Sequence, residues 1–383
     1  MSSMQPTRAS ESGGWQANKP WERGRKGMLT LMAALTITAA PAAGVLAVSP
    51  AYAAAEADRL NVMDSPMVID GKPVAVPAAN VDGDTYIGLR ALNEQLGLKT
   101  GWDADTRTVT VSGRGRTLKL GLDSLNDYTI NGQQIYGLPA MIQDGSTYMP
   151  LRFLLEQMGY GISYDAPTRT VGIVTIEENM LSVETRTISE EGKKKSLLVH
   201  YPQIVGFGDQ VVQDKINAFL KMEAESHAAA GRLTLASAAA DNEEAEASHP
   251  DITIPPVSFE GRYTVTYNEQ GKLSLYVDYY SYTGGAHGMI ARVPYTFDLT
   301  TGSLVTLQEA AEGNAKYVDI INEAVHRQIE ESGLPLLHPF ETIEPNRSYF
   351  LKHGALVVYF SQYEYTAYAE GMPQFEIPMR AFR

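Results

Sequence analysis

The sequence predicts an α+β protein in two regions. The first is a duplicated unit, each copy a small antiparallel sheet under one helix; the second is an antiparallel sheet covered by helices on one side. Three observations carry this. A block of sequence returns at an offset of 62 residues. Short stretches of period-two alternation outnumber helical ones. Asp-Gly and Asn-Gly pairs, suited to tight hairpin turns, punctuate the first region. At 383 residues the chain exceeds one ordinary domain, and 44% hydrophobic content is ample for packed cores.

The N-terminus stands outside that fold. Arg23, Arg25 and Lys26 precede an uncharged apolar run, residues 28–48, broken by Pro41 and Gly44. Ser49-Pro50-Ala51-Tyr52-Ala53 follows, with Ala51 and Ala53 at the −3 and −1 positions of a cut after Ala53. This predicts a secretory signal peptide over residues 1–53. Left uncleaved, the same run would be just long enough to anchor the chain in a membrane. Residues 1–53 carry five basic and two acidic side chains, so the remainder has a net charge of −17. Such an acidic exported chain repels phosphates, which argues against nucleic acid as a partner, and attracts cationic ones. With no cysteine there are no disulfides, thiol nucleophile or Cys-held zinc.

Residues 54–178 hold the repeat. Asp82-Gly83-Asp84-Thr85-Tyr86 returns as Asp144-Gly145-Ser146-Thr147-Tyr148, and Thr106-Arg107-Thr108-Val109 as Thr168-Arg169-Thr170-Val171. Each copy reads as a hairpin, then a helix with Leu89, Leu92 and Leu96, or Leu151, Leu154, Leu155 and Met158, on one face. Gly97 and Gly159 suit the C-terminal caps. Two further strands flank the Asp103–Arg107 or Asp165–Arg169 turn. Arg90, Arg107, Arg152 and Arg169 are expected to brace Asp103 and Asp165 or to cap turns.

The second region covers residues 179–255 and 256–383. A strand near Leu197 is expected to end at Pro202, and Asp209 can cap a helix bearing Val212, Ile216, Phe219 and Leu220. Residues 223–250, rich in Ala and Glu, read as that helix fraying into a low-complexity insertion, with His227 and His249 in a solvated loop. Leu273, Leu275, Val277 and Tyr279 then alternate with Ser274, Tyr276, Asp278 and Tyr280, the pattern of a half-buried strand. It runs into Tyr282-Thr283-Gly284-Gly285-Ala286-His287-Gly288. A second Tyr-rich strand, residues 359–368, is its expected companion. Val318, Ile321, Val325 and Ile329 mark a late helix.

These two stretches are the expected working surface. Tyr279 and Tyr295, in phase with Leu and Phe, read as core. Tyr280, Tyr282, Tyr365 and Tyr368 read as an exposed aromatic surface, with Gly284, Gly285, His287, Tyr363 and Glu364 completing the candidate ligand-binding set. Aromatic rings bury area at low entropic cost, which suits sugar or protein recognition. Glu364 and Glu370 could add charge for a basic partner.

The repeat, on Tyr148-Met149-Pro150-Leu151-Arg152, Gly159 and Tyr164-Asp165 followed by Thr168-Arg169-Thr170-Val171, resembles the copper amine oxidase N-terminal-like stalk domain. That resemblance implies a non-catalytic envelope module. No histidine precedes His200, so no copper site is expected there. The second region, on residues 198–204, 279–288, Asp298-Leu299-Thr300-Thr301-Gly302, 359–365 and Phe375-Glu376-Ile377-Pro378, resembles the extracytoplasmic region shared by the peptidoglycan deacetylase PdaC and the lysozyme-sensing anti-sigma factor RsiV. This implies an α+β domain facing the cell wall, and in the RsiV branch lysozyme binding. Deacetylation of that type needs an Asp and a His-x3-His pair on a metal. Here Leu299 follows Asp298, and no two of the seven histidines are four apart. The expectation is therefore a non-enzymatic, cell-wall-associated module without a cofactor. Its partner is peptidoglycan, another wall glycan or a wall-associated protein; the alternative is a lysozyme-binding sensor or decoy, and the third reading a cell-wall hydrolase or deacetylase.

Overall fold

Left-handed backbone appears where the Asp-Gly and Asn-Gly pairs call for it. Asp70 and Gly71, Asp82 and Gly83, Asn131 and Gly132, and Asp144 and Gly145 all have positive φ, as two-residue hairpin turns require. This computed structural model describes residues 59–121 and 127–383. The signal-peptide reading, with Ala51 and Ala53, lies outside the described residues.

In the repeat region the elements run β1 (Met63–Ile69), β2 (Lys72–Val81), β3 (Asp84–Gly88), α1 (Leu89–Leu96), β4 (Lys99–Asp103), β5 (Thr108–Gly113), β6 (Arg116–Gly121), β7 (Asp127–Ile130), β8 (Gln133–Tyr136), β9 (Met141–Gln143), β10 (Ser146–Pro150), α2 (Leu151–Gln157), β11 (Tyr160–Asp165) and β12 (Thr170–Thr175). The expectation of a self-contained sheet in each copy is corrected. One sheet has the order β11-β12-β1-β2-β3-β10-β9 and the other β4-β5-β6-β7-β8. The matching strands β3 and β10 pair with each other, Ile87 opposite Met149. The first strand, β1, lies parallel to the last, β12. A helix of seven or eight residues cannot bury a sheet by itself. The copies therefore share one core, in which Leu92, Val111, Leu118, Met149, Leu154 and Leu155 are fully buried. Arg152 does not brace Asp165; it meets Glu156 and the Ile162 carbonyl. Asp103 instead accepts from the amides of Asp105 and Thr106.

The second region begins with a sheet in sequence order: β13 (Ser182–Gly192), β14 (Lys195–Val205), β15 (Val257–Glu269), β16 (Lys272–Tyr282), β17 (Met289–Asp298) and β18 (Ser303–Leu304). β14 runs through Pro202, opposite Thr185 of β13. β15 pairs only with residues 195–199 of β14, so Pro202 faces no ladder on that side and its missing N–H costs nothing.

The pairing of β14 with β15 is parallel, and a parallel pair needs a crossover. The crossover is α3 (Gln210–Ser248), one unbroken helix of 39 residues, capped where Asp209 accepts from the Val212 amide at 3.1 Å. The reading of residues 223–250 as a fraying, low-complexity insertion is thus corrected. Ala and Glu favour helix, and the apolar stripe of Ile216 and Leu220 continues through Ala224, Ala228, Gly231 and Leu235 onto the sheet. Small residues there let the helix approach closely: a Cβ on Gly231 would fall 2.5 Å from the ring of Phe259.

After α4 (Leu307–Ala310) and α5 (Tyr317–Ser332) comes a separate sheet of β19 (Tyr349–Lys352), β20 (Ala355–Tyr359) and β21 (Gln374–Pro378). It covers the other face of the first sheet, which corrects the expectation of helices over one side of a single sheet. Ser274 is fully buried, sharing a hydrogen bond with Thr296 at 2.8 Å and accepting from the Leu351 amide at 3.0 Å. Tyr276 packs on Phe350, ring centres 5.2 Å apart. Asp278 holds the buried Arg292 through two hydrogen bonds of 2.8 and 2.7 Å. β16 is therefore covered on both faces, and its polar face reads as polar because it contacts a second sheet through hydrogen bonds and an ion pair. Ile321 and Val325 of α5 are buried, as its periodicity predicts.

Candidate functional site: the aromatic turn

Residues 283–288 join β16 to β17. Gly284 has φ 95°, and a Cβ there would strike Asn242 and Ile254 at about 2.5 Å. Asn242, near the end of α3, donates to the Thr283 carbonyl at 3.0 Å. The Ala/Glu-rich half of α3 thus fixes the base of the turn. Tyr282 closes it, its hydroxyl donating to the Gly285 carbonyl at 2.9 Å. A Cβ on Gly288 would fall 2.3 Å from the Tyr280 ring, so glycine there lets that ring lie on the backbone. Burial pushes the Tyr280 hydroxyl above its ordinary pKa.

His287 is exposed at the turn's tip. Its Nδ1 lies 3.1 Å from the Gly288 carbonyl, which can only accept, so Nδ1 carries the proton. In the neutral imidazole Nε2 is then the acceptor for the Tyr363 hydroxyl at 3.3 Å. The imidazole stacks on Tyr368, ring centres 3.9 Å apart and planes at 24°. Tyr363 lies 5.8 Å from Tyr368 and is 47% exposed. Two stretches about seventy-five residues apart in sequence therefore build one exposed cluster of an imidazole and two phenols.

The companion stretch is not the expected strand over residues 359–368. β20 ends at Tyr359, and the chain turns away where the Glu364 amide donates to the Ser361 carbonyl and the Ser361 amide to Glu364 Oε2. Tyr363 takes φ 62°, a left-handed conformation uncommon for an aromatic residue. The turn is locked by the buried Arg347, whose Nη2 donates to Glu364 Oε2 at 2.7 Å and also to the Tyr359 carbonyl. Gln362 ties it to the sheet by accepting from the Ile290 amide at 2.7 Å.

This sorts the candidate residues. Tyr280, His287, Tyr363 and Tyr368 come together, and Gly285 lies open beside them. Tyr282 and Gly284 shape the turn. Glu364 is committed to Arg347, and Tyr365 packs against Phe360 at 4.4 Å and Phe340 at 5.5 Å beside the core. Glu364 and Tyr365 are thus held by contacts within the protein. Neither set of contacts is legible locally: Arg347 is distant from Glu364 in sequence, and the strand's alternation ends before Tyr365. Tyr279 and Tyr295 are core, as expected. His227 is not in a loop: it stacks on Tyr279 at 4.1 Å, and burial lowers its pKa to about 4. Asn242, Gln362 and Arg347 were missed; they carry no motif and act only through tertiary contacts.

Among the described residues no three metal-ligating side chains gather in a metal-holding arrangement, and no helix is long and apolar enough to cross a membrane.

Three family models match successive parts of the chain. They are the copper amine oxidase N-terminal domain over residues 68–197, deacetylase PdaC over 188–290, and a protein family of unknown function, DUF3298, over 310–380. The stalk-then-PdaC order expected from the motifs is the order found. Segments of these types suggest an extracytoplasmic cell-envelope module. No curated protein matches. The chain is similar to two solved DUF3298-family structures. One, from Bacteroides fragilis NCTC 9343, has 16% identity and a TM-score of 0.41, over 53% of this chain and 92% of that one. The other, from Pseudomonas aeruginosa PAO1, has 17% identity and a TM-score of 0.32, over 53% and 93%.

Proposed function

We propose that this is an exported, non-enzymatic envelope module that binds peptidoglycan through the aromatic turn. The observation that supports it is the stack of His287 on Tyr368 with Tyr363 beside it, at the end of the β16–β17 hairpin. Aromatic faces held by hydrogen bonds, with polar tips, suit the apolar faces and hydroxyls of sugar rings. The φ of Tyr363 costs of order 1 kcal/mol and persists only where the surroundings impose it, which favours a functional reason for keeping the ring there. A basic wall-degrading protein such as lysozyme is the second reading. It is favoured by the acidic balance of the chain and by exposed Glu370, two residues after Tyr368.

The test is sedimentation of the purified protein with insoluble peptidoglycan, alongside a binding titration with soluble lysozyme. Tyr363→Gly is the informative variant. It relieves the left-handed backbone while removing a half-exposed ring, so stability should stay within about 1 kcal/mol of the parent as wall binding drops. Unchanged sedimentation would remove the turn from the function. Lysozyme binding without wall binding would promote the second reading. Release of soluble muropeptides from the wall would replace both with a hydrolase.

A further inference from the structure

A cleft of about 300 Å³ opens between the repeat region and the two sheets. That is at the lower end of the range of small-molecule sites, which favour such junctions. All three matched segments line it: Arg152 and Glu156 on α2, Tyr276 on β16, and Lys352, Gln374 and Glu376 on the three-stranded sheet. None of these belongs to the aromatic turn.

The charges in the cleft alternate. Arg152 Nη1 lies 3.1 Å from Glu156 Oε1, Lys352 Nζ 3.9 Å from Glu156 Oε2, and Lys352 Nζ 2.8 Å from Glu376 Oε1. His353, also on the wall, is turned to the buried Glu269 at 3.0 Å. The row has no net charge, so it concentrates neither anions nor cations. An ionic ligand would meet a like charge beside each opposite one and would have to compete with these pairs. Hydroxyl groups need not, because each both donates and accepts. They can bridge the acceptor-only carboxylates and the donor-only ammonium and guanidinium, and the Gln374 amide does both. Burial opposes the charge on Lys352, but Glu156 and Glu376 outweigh it, so Lys352 stays charged at neutral pH. Tyr276 and Phe153 supply aromatic surface in the same wall.

We propose that this cleft binds a neutral, polyhydroxylated ligand: a short stretch of uncharged oligosaccharide. The site exists only when the three segments are assembled, and it does not depend on the role of the aromatic turn.

The test is calorimetric titration of the full chain with tetra-N-acetylchitotetraose. The expected result is saturable binding that is steady from low to high salt, as for an uncharged ligand. Gln374→Ala, at an exposed position, and Glu376→Gln should each weaken it by roughly three- to tenfold, the value of one hydrogen bond. Leu233→Ala, at an exposed position that lines neither the cleft nor the turn, should leave it unchanged. Melting temperatures establish that each variant is folded. The proposal is overturned by no binding of the sugar, including where a zwitterionic stem peptide binds instead; by binding indifferent to both cleft substitutions; or by affinity that falls steeply with salt. Loss of binding in Tyr363→Ala alone would assign the sugar to the turn, refuting the cleft while leaving the reading above intact.

Discussion

Leu233 and Leu235 sit two residues apart in the Ala/Glu-rich half of α3, and they make opposite predictions. Leu235 is 3% exposed and belongs to the core under the helix; Leu233 is 75% exposed. Truncating a buried leucine costs about 2–5 kcal/mol, the spread reflecting how far the cavity collapses. Leu235 lies beyond the middle of the helix among small residues, Ala228 and Gly231, which leave room for partial collapse. A value of about 3 kcal/mol for Leu235→Ala follows. Helix propensity returns only a few tenths, since Leu and Ala are both good helix formers. At the usual entropy per residue, a unit the size of Arg59–Arg383 has an unfolding entropy of roughly 0.7 kcal/mol per degree. The melting temperature should therefore fall by about 4 °C. Leu233→Ala, with the same chemistry, should shift it by less than about 1 °C, as surface changes do. Scanning calorimetry of both variants at neutral pH makes the comparison. Equal, near-zero shifts would mean that residues 223–248 melt apart from the sheet and that α3 does not fix the turn through Asn242.

Two histidines should pull the pH dependence of stability in opposite directions. His227, held near pKa 4 by burial, contributes in full above its ordinary 6.5 and loses that contribution as pH falls towards 4; at 1.36 kcal/mol per unit the loss is on the order of 2–3 kcal/mol. His227→Phe should flatten urea midpoints between pH 4.5 and 7, and an unaltered slope would refute this. The hydrogen bond to Glu269 raises His353 above 6.5, so its contribution is complete below 6.5 and disappears as pH rises through the folded value. Stability compared at pH 6 and 8 should lose part of its decline in His353→Gln. Asp278→Ala strands Arg292, whose side chain is 7% exposed, and should cost about 3–5 kcal/mol in urea denaturation; a cost under about 1 kcal/mol would mean that the guanidinium finds water.

Much of this protein follows from local sequence. The hairpin turns are set by Asp-Gly and Asn-Gly pairs, because few other residues tolerate positive φ at adjacent positions. Strand phase in β16 follows from alternation, and the Asp209 cap and the buried stripe of α5 from residue type and spacing. The duplication and the order of segments are legible as repeated words. Tertiary structure decided what those signals leave degenerate. β3 pairs with β10 because neither repeat can bury its own helix. The Ala/Glu run is helix in either reading, and only the parallel pairing of β14 with β15 makes it a packed crossover. Glu364 is indistinguishable from a free surface carboxylate until Arg347 arrives from another element. The cluster of His287, Tyr363 and Tyr368, and the cleft lined by three segments, are long-range juxtapositions. Local propensity acts over a few residues, whereas contacts between distant parts of the chain are chosen by burial and charge pairing of the whole.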